Sequence, residues 1–320
     1  MKMNDKELPL VSIMTPCYNG ARYIQGCIES VLAQDYPYLE HIVQDGGSDD
    51  GTVDILKRYD GSIDWVSEPD NGQPDGLNRA LQRCNGDIIL VLNADDELLP
   101  GAVIWGIEHM ARHPEAAVIY GDQYIIDEKG EIKDAEIGPD PYDYHKLICV
   151  EQVPPAQAAF IRRSYFEQVG FNADTTLTTC PDYEMWVRIG LRFPMVHVAG
   201  FITRYRWHQQ SDSRPREEII EMHDSKRTVM DRLFNDPQTP SEISNLRRRA
   251  HAGAMSWTAS VLYAEDGKLH GLFWAVRAFF KYPGMRQGRS LSLFMIRMFF
   301  PPLYRWIHRK RLEGRQIELA

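Results

Sequence analysis

Two adjacent carboxylates, Asp95 and Asp96, close the run Asn93-Ala94-Asp95-Asp96 directly after an apolar stretch at 88–92. Hard divalent cations such as Mg2+ or Mn2+ take few protein oxygens and complete their shell with phosphate and water, so such a pair suits a metal-assisted diphosphate site. The alternative is a plain turn in which an Asp caps the next helix. Three more polar runs follow short apolar ones: Thr15-Pro16-Cys17-Tyr18-Asn19, Asp45-Gly46-Gly47-Ser48-Asp49-Asp50 and Glu68-Pro69-Asp70-Asn71. Neither glycine-rich phosphate loop pattern is present, so a bound diphosphate would need carboxylate-held metal to offset its charge. Further along, Asp182 follows Pro181 and precedes the apolar anchors Met185, Trp186 and Ile189. A carboxylate fixed in this way is suited to take a proton from an attacking hydroxyl, or else to complement a helix dipole.

The elements that position these residues read as alternating strands and helices. Residues 11–15 form an apolar run that ends in Pro16, Asn19 and Gly20, and a helical pattern follows at Tyr23, Ile24, Ile28, Val31 and Leu32. The unit recurs as strand 41–44, loop 45–51 and a helix through Leu56, then strand 63–66, loop 67–73 and helix 74–84. A fourth strand at 88–92, a helix at 102–113 and a strand at 117–120 complete the series. Such alternation predicts an α/β fold with a mostly parallel sheet flanked by helices. Sheets of this kind bind ligands outside the carboxyl ends of their strands, where all four polar runs fall. Residues 122–150 are acidic and poorly periodic and read as a variable excursion. A strand at 156–161, a helix at 164–169, a loop at 170–180 and a helix from Pro181 follow. Beyond residue 216 the pattern is helical, which divides the chain into 1–212 and a helical C-terminal extension, 213–320.

Composition narrows the class. With 320 residues and 43% hydrophobic content the chain can bury a large core. A net charge of −9 argues against a nucleic-acid binder. Five cysteines, Cys17, Cys27, Cys84, Cys149 and Cys180, with no C-x-x-C pair, suit a reducing cytoplasm better than a disulfide framework or a zinc site. The short polar N-terminus predicts no signal peptide.

The motifs in order are more specific than any one of them. T-P-C-Y-N-G, then H-I-V-Q-D-G-G-S-D-D-G-T, then D-N-G-Q-P-D-G-L-N-R-A-L and G-D-I-I-L-V-L-N-A-D-D-E-L-L-P resemble glycosyltransferase family 2 over most of residues 10–210. The resemblance implies a GT-A, Rossmann-like fold, a nucleotide-sugar donor, a divalent metal (Mg2+ or Mn2+) and inversion at the anomeric carbon. Position by position it implies that Pro16 and Tyr18 flank the base, that Asp45 bonds a uracil-like imide edge, and that Asn78 and Arg79 contact the donor. Asp95 and Asp96 match the D-x-D region, one on ribose and one on metal, although Asn93 stands where many members carry the first Asp. T-C-P-D-Y-E-M-W-V-R is similar to the acceptor-site motif, which makes Asp182 the base and Glu184 its weaker substitute. R-Y-R-W-H-Q-Q-S is similar to the closing R-x-H-x-x-S element, in which His208 completes a metal shell or bonds a phosphate oxygen; a structural histidine is the alternative. Arg204 or Arg206 would help offset diphosphate charge, and Gln157 would line the acceptor pocket.

The last 50 residues carry net +8 against −17 for residues 1–270. Phe273, Trp274, Phe279, Phe280, Phe294, Phe299, Tyr304 and Trp306 are interleaved with Arg277, Lys281, Arg297 and Arg309-Lys310-Arg311. Basic and aromatic residues on amphipathic helices suit the interface of an anionic bilayer; a helical cap with solvated cations is the alternative. The run at 291–307 is interrupted by Arg297, Pro301, Pro302 and Arg305 and falls short of the roughly 20 apolar residues of a spanning helix. With these features, the resemblance implies an inverting, metal-dependent glycosyltransferase that moves a sugar from a nucleotide-diphosphate sugar, UDP-linked, to a saccharide or lipid-linked acceptor in surface polysaccharide or glycolipid synthesis. A nucleotidyltransferase acting on a sugar phosphate would want a basic glycine-rich loop near the N-terminus, which T-P-C-Y-N-G is not. An inactive nucleotide-sugar-binding regulator would have no need of Asp95, Asp96 and Asp182 together.

Overall fold

The computed structural model describes residues 8–170, 172–177, 179–208, 216–265 and 268–282. The basic-aromatic run beyond residue 282 and Ser211 of the closing element lie outside them. By Cα packing the chain forms two units: residues 1–142 with 154–207, and residues 143–153 with 208–320. The segment 143–153 thus groups with the helical C-terminal residues, whereas the sequence division placed it in the first region.

The first unit opens with β1 (Val11–Cys17), α1 (Ile24–Leu32), β2 (Leu39–Asp45), α2 (Thr52–Leu56), β3 (Asp64–Ser67), α3 (Gln73–Arg83) and β4 (Ile88–Val91). Then come β5 (Glu97–Leu98), α4 (Ala102–Arg112), β6 (Val118–Ile126) and β7 (Ile132–Glu136). After α5 (Tyr144–Ile148), which belongs to the second unit, follow β8 (Ala159–Arg162), α6 (Arg163–Gln168), α7 (Pro181–Gly190) and β9 (Met195–Arg206). The strands form one sheet in the order β3-β2-β1-β4-β8-β6-β9-β5, with β7 added on β6. The β3-β2-β1-β4 half is parallel throughout, as is β6 with β9, and β8 runs antiparallel between β4 and β6. Every residue of β1 is buried, as a central strand covered on both faces must be.

Two expectations are corrected. The excursion expected after residue 120 begins as a strand. β6 continues to Ile126 and turns back through Asp127, whose Oδ1 accepts from the amides of Lys129 and Glu131, into the antiparallel β7. The strand expected at 156–161 starts only at Ala159, because 156–158 form a 3-10 turn. The charged, half-exposed β7 carries no apolar alternation to announce it, and pairing with β6 stabilises it instead.

Helix α4 packs closely because Gly106 has no side chain. A Cβ there would lie 2.6 Å from the ring of Phe160, which is fully buried in the main core with Val11, Ile13, Leu90 and Ile119. In the second unit, α8 (Arg216–Asn235), α9 (Ser241–Ser244), α10 (Arg247–Glu265) and α11 (Lys268–Lys281) follow α5. Small buried residues, Ala252, Ala259, Ala275 and Ala278, let α10 and α11 approach closely. Arg249 donates from Nε and Nη2 to the two carboxylate oxygens of Glu151, each at 2.8 Å, which ties α10 to the segment 143–153.

Gly106→Ala sets a helix-propensity gain of about 1 kcal/mol against overpacking of about 1–3 kcal/mol. Three ring atoms lie inside the clash distance and the ring is fully buried, so the penalty dominates. Urea titration is expected to show a loss of about 1–2 kcal/mol; stability equal to the parent would mean that the ring moves freely.

Candidate active site

The carboxyl ends of β1, β2, β3 and β4 share one edge because these four strands are parallel, and their loops are tied to each other. The Asn19 amide donates to Ser48 Oγ at 2.7 Å, Asn19 Oδ1 accepts from the Asp49 amide at 3.1 Å, and the Ala21 amide donates to Asp50 at 3.0 Å. Asp50 also accepts from the Thr52 amide and hydroxyl at the start of α2. Burial acts to raise the Asp50 pKa, but these hydrogen bonds outweigh it and hold the carboxyl below its ordinary value. Asp45 is fully buried and accepts from the amides of Gly47 and Ser48 and from the hydroxyls of Ser48 and Ser67, so its side chain fixes the 46–48 loop. Asp70 fits only because two neighbours are glycine: a Cβ on Gly76 would lie 2.9 Å from its Oδ2, and one on Gly46 3.0 Å. Pro16 is buried in β1, while Tyr18 beside it is 69% exposed.

The turn after β4 brings Asp95 and Asp96 to the same edge. Asp96 is completely buried; its Oδ1 accepts from the Arg206 amide at 2.8 Å, and its Oδ2 is buried with no hydrogen-bond partner. Burial first, and the adjacent Asp95 second, raise its pKa well above the ordinary value of an aspartate. The Arg206 guanidinium, itself buried, donates to Asp95 O at 2.9 Å, to Asp127 O at 2.9 Å and to Glu97 Oε1 at 2.7 Å, and lies over the Tyr23 ring. Arg206 therefore does not offset a bound diphosphate as the sequence suggested: its guanidinium is committed to the acidic turn.

Helix α7 carries Asp182 in its first turn. Cys180 ahead of it adopts a left-handed conformation (φ 56°), uncommon for a residue with a side chain. Fully buried Tyr183 and Trp186 anchor the helix. Glu184 does not serve as an alternative base, because Arg188 grips its two oxygens at 2.9 Å each while also donating to the carbonyls of Val169, Gly170 and Asn172. Asp182 has no such clamp. On β9, Tyr205 lies in the field of Asp96, Asp95, Glu136 and Asp182; burial foremost, and then these four carboxylates, raise the pKa of its phenol. Asp182 and the Asp95–Asp96 pair thus both lie within electrostatic reach of one tyrosine. Sequence reasoning missed Tyr205, Glu97 and Glu136. Glu97 lies on the two-residue β5, and β7 has no alternation that would single out Glu136.

Other predicted residues are engaged elsewhere. Asn78 exchanges two hydrogen bonds with the backbone of Ala173, at 2.9 and 2.6 Å. Arg79 donates to Glu68, Pro69 O and Asp75. Gln157 is half-buried in the 3-10 turn, and His208 is buried and belongs to the second unit. Among the described residues no group of three or more His, Cys, Asp or Glu could hold a metal. The unpartnered Asp96 Oδ2 beside the half-buried Asp95 still fits Mg2+ or Mn2+, which need only one or two protein carboxylates.

The raised pKa of Asp96 fixes a sign. The folded chain holds this proton more tightly than the unfolded chain, whose value is about 3.9, so metal-free stability falls as pH rises from there through the raised folded pKa. Asp96→Asn keeps an acceptor for the Arg206 amide and removes the charge. In EDTA at pH 7–8 its Tm is expected to equal or exceed that of the parent, and a fall of several degrees would contradict this account.

Residues 12–170 match the model of glycosyl transferase family 2. An uncharacterized glycosyltransferase of Mycobacterium tuberculosis is 31% identical over 186 residues, 57% of this chain and 70% of that protein. The chain spans less of other curated relatives, 40% of one and 28% of another. Among solved structures, Staphylococcus aureus TarS 1–349 in complex with UDP-GlcNAc superposes with a TM-score of 0.60 at 16% identity, covering 95% of this chain and 92% of that one. The mannosyltransferase PcManGT of Pyrobaculum calidifontis in complex with GDP-Man and Mn2+ gives 0.59 at 17% identity, covering 92% and 88%. These likenesses establish a shared GT-A-like fold. Together with the match over the βα units and the acidic turn, they make the chain a member of glycosyltransferase family 2.

Proposed function

We propose that this chain is an inverting, metal-dependent hexosyltransferase that moves a sugar from a nucleotide-diphosphate sugar, UDP-linked, to an acceptor hydroxyl in surface polysaccharide or glycolipid synthesis. The observation that carries the reading is the acidic turn at the carboxyl edge of the parallel strands, where Asp96 Oδ2 is buried and unpartnered and where the Asp95–Asp96 pair shares with Asp182 the field at Tyr205. The UDP-GlcNAc bound in TarS supports the donor class, and the Mn2+ in the PcManGT complex supports the metal. In this reading Pro16 and Tyr18 border the base, Asp45 shapes that pocket through the loop it fixes, and Asn78 and Arg79 support it from α3. Asp95 and Asp96 hold ribose and cation. A divalent cation bound there supplies charge compensation for the diphosphate. Asp182 accepts the proton of the acceptor hydroxyl as its oxygen bonds to the anomeric carbon, and the bond from that carbon to the diphosphate oxygen breaks from the opposite face. His208, in the second unit, enters no part of this account.

The same reading includes peripheral contact with an anionic bilayer. No helix among the described residues is long and apolar enough to cross a membrane. The outward side of α11 exposes Leu269, Phe273, Val276 and Phe280, with Arg277 stacked over Phe273 and Trp274. Interfacial helices combine apolar and cationic groups in this way.

Two experiments test the proposal. A panel of nucleotide-sugars with Mn2+ or Mg2+ should contain one that raises the Tm of the parent protein and is turned over. Asp182→Asn is expected to keep that Tm shift and to lose transfer by about 100-fold or more, the low end of general-base contributions. Undiminished transfer would remove Asp182 from the base role. For the bilayer, Phe273→Ser with Phe280→Ser should cut cosedimentation with phosphatidylserine vesicles several-fold, and an unchanged bound fraction would contradict the membrane reading.

A further inference from the structure

Beside the acidic turn, one face of β7, β6 and β9 carries a polar row that the reading above does not use. Glu136 pairs with Gln123 across β7 and β6, and Gln123 pairs with Thr203 across β6 and β9. Tyr205 lies two residues beyond Thr203 and so on the same face. Gln123 is 2% exposed, and its Nε2 donates to Glu136 Oε2 at 2.7 Å. Glu136 is an exposed residue of the outer strand, yet this bond draws its carboxylate in toward the buried amide. Gln123 Oε1 and Thr203 Oγ1 are buried without hydrogen-bond partners. Each such orphan costs about 1–3 kcal/mol unless a water or another polar group meets it, and both lie on the row that carries Glu136 and Tyr205.

The row also lies in a shared field. Burial raises the Glu136 pKa; the bond from Gln123 opposes this, and the charges that add to it are those of Asp182 and Asp134. Tyr205, in contrast, lies in the field of both Asp182 and the Asp95–Asp96 pair. Asp182 is therefore the carboxylate of the site whose field Glu136 and Tyr205 share. The hydroxyl that loses its proton must lie within reach of the base, so a residue that shares the field of Asp182 is placed to meet the acceptor.

We propose that Glu136, oriented by Gln123 and adjoining Tyr205, forms a subsite for the vicinal hydroxyls of a saccharide acceptor. A carboxylate with one oxygen pinned accepts hydrogen bonds from sugar hydroxyls at the other, and the neutral phenol donates to a ring or hydroxyl oxygen. The inference rests on the transferase reading only for which substrate occupies the subsite. It makes Glu136 a specificity residue, separate from the proton transfer at Asp182.

Binding separates the two readings. The parent protein, Glu136→Gln and Tyr205→Phe are titrated with a panel of p-nitrophenyl hexosides by saturation-transfer NMR, and in parallel with UDP and GDP in the presence of Mn2+. At least one hexoside is expected to bind the parent protein. Its Kd should rise about tenfold in Glu136→Gln and less in Tyr205→Phe, with nucleotide affinity unchanged in Glu136→Gln; tenfold corresponds to about 1.4 kcal/mol, one charge-assisted hydrogen bond. Circular dichroism melting confirms that each variant is folded. Failure of every hexoside to bind, or equal binding by parent and Glu136→Gln, overturns the subsite. Loss of nucleotide affinity in Glu136→Gln also overturns it, because the residue would then belong to the donor side. If neither nucleotide binds the parent while a hexoside does, and Glu136→Gln weakens it, the donor reading fails and the subsite stands.

Discussion

A buried guanidinium holds the acidic turn in place. Arg206 closes the end of β9 onto the turn after β4: its amide bonds Asp96, and its side chain bonds the carbonyls of Asp95 and Asp127 and the carboxylate of Glu97. Two carboxylates side by side at a buried turn repel each other and lose hydration, and one arginine offsets this by backbone and side-chain contacts together. The same closure fixes where β9 leaves the sheet, and thereby where Tyr205 and Thr203 lie. Acidic turn, phenol and polar row are thus held by a single contact region.

Charge at this edge is graded by partner. Asp45 and Asp50 are saturated by hydrogen bonds and serve as structural anchors. Glu184 is neutralised by Arg188. Asp96 keeps one oxygen without a partner, and Asp182 stands beyond the reach of the Arg188 clamp. Acidic residues crowd the sequence here, but hydrogen bonding leaves only a few of them available for chemistry.

The sequence made part of this legible. The βα alternation from Val11 to Val91, the four polar loops at one edge and the first turn of α7 follow from apolar periodicity and the positions of Pro, Gly and Asp, all of which act locally. The reach of Asp45 onto its own loop, the clamp on Glu184 and the inward turn of Arg206 were not legible, because each depends on a partner distant in the chain: Ser67 for Asp45, the 169–172 carbonyls for Arg188, Asp95 and Asp127 for Arg206. The β6–β7 hairpin was hidden for a related reason. Half-exposed polar strands gain their stability from ladder pairing and carry little apolar pattern, so Glu136 read as part of a loop.

Asn78 on α3 holds the loop ahead of α7 by pairing with both the amide and the carbonyl of Ala173. This latch reads backbone and not side chain. At Ala173 the loop is therefore held whatever the side chain, whereas Leu177 and Cys180 further along it are buried. An exchange of the Ala173 side chain leaves both hydrogen bonds in place, so the attachment of this loop to α3 is indifferent to that residue's chemistry.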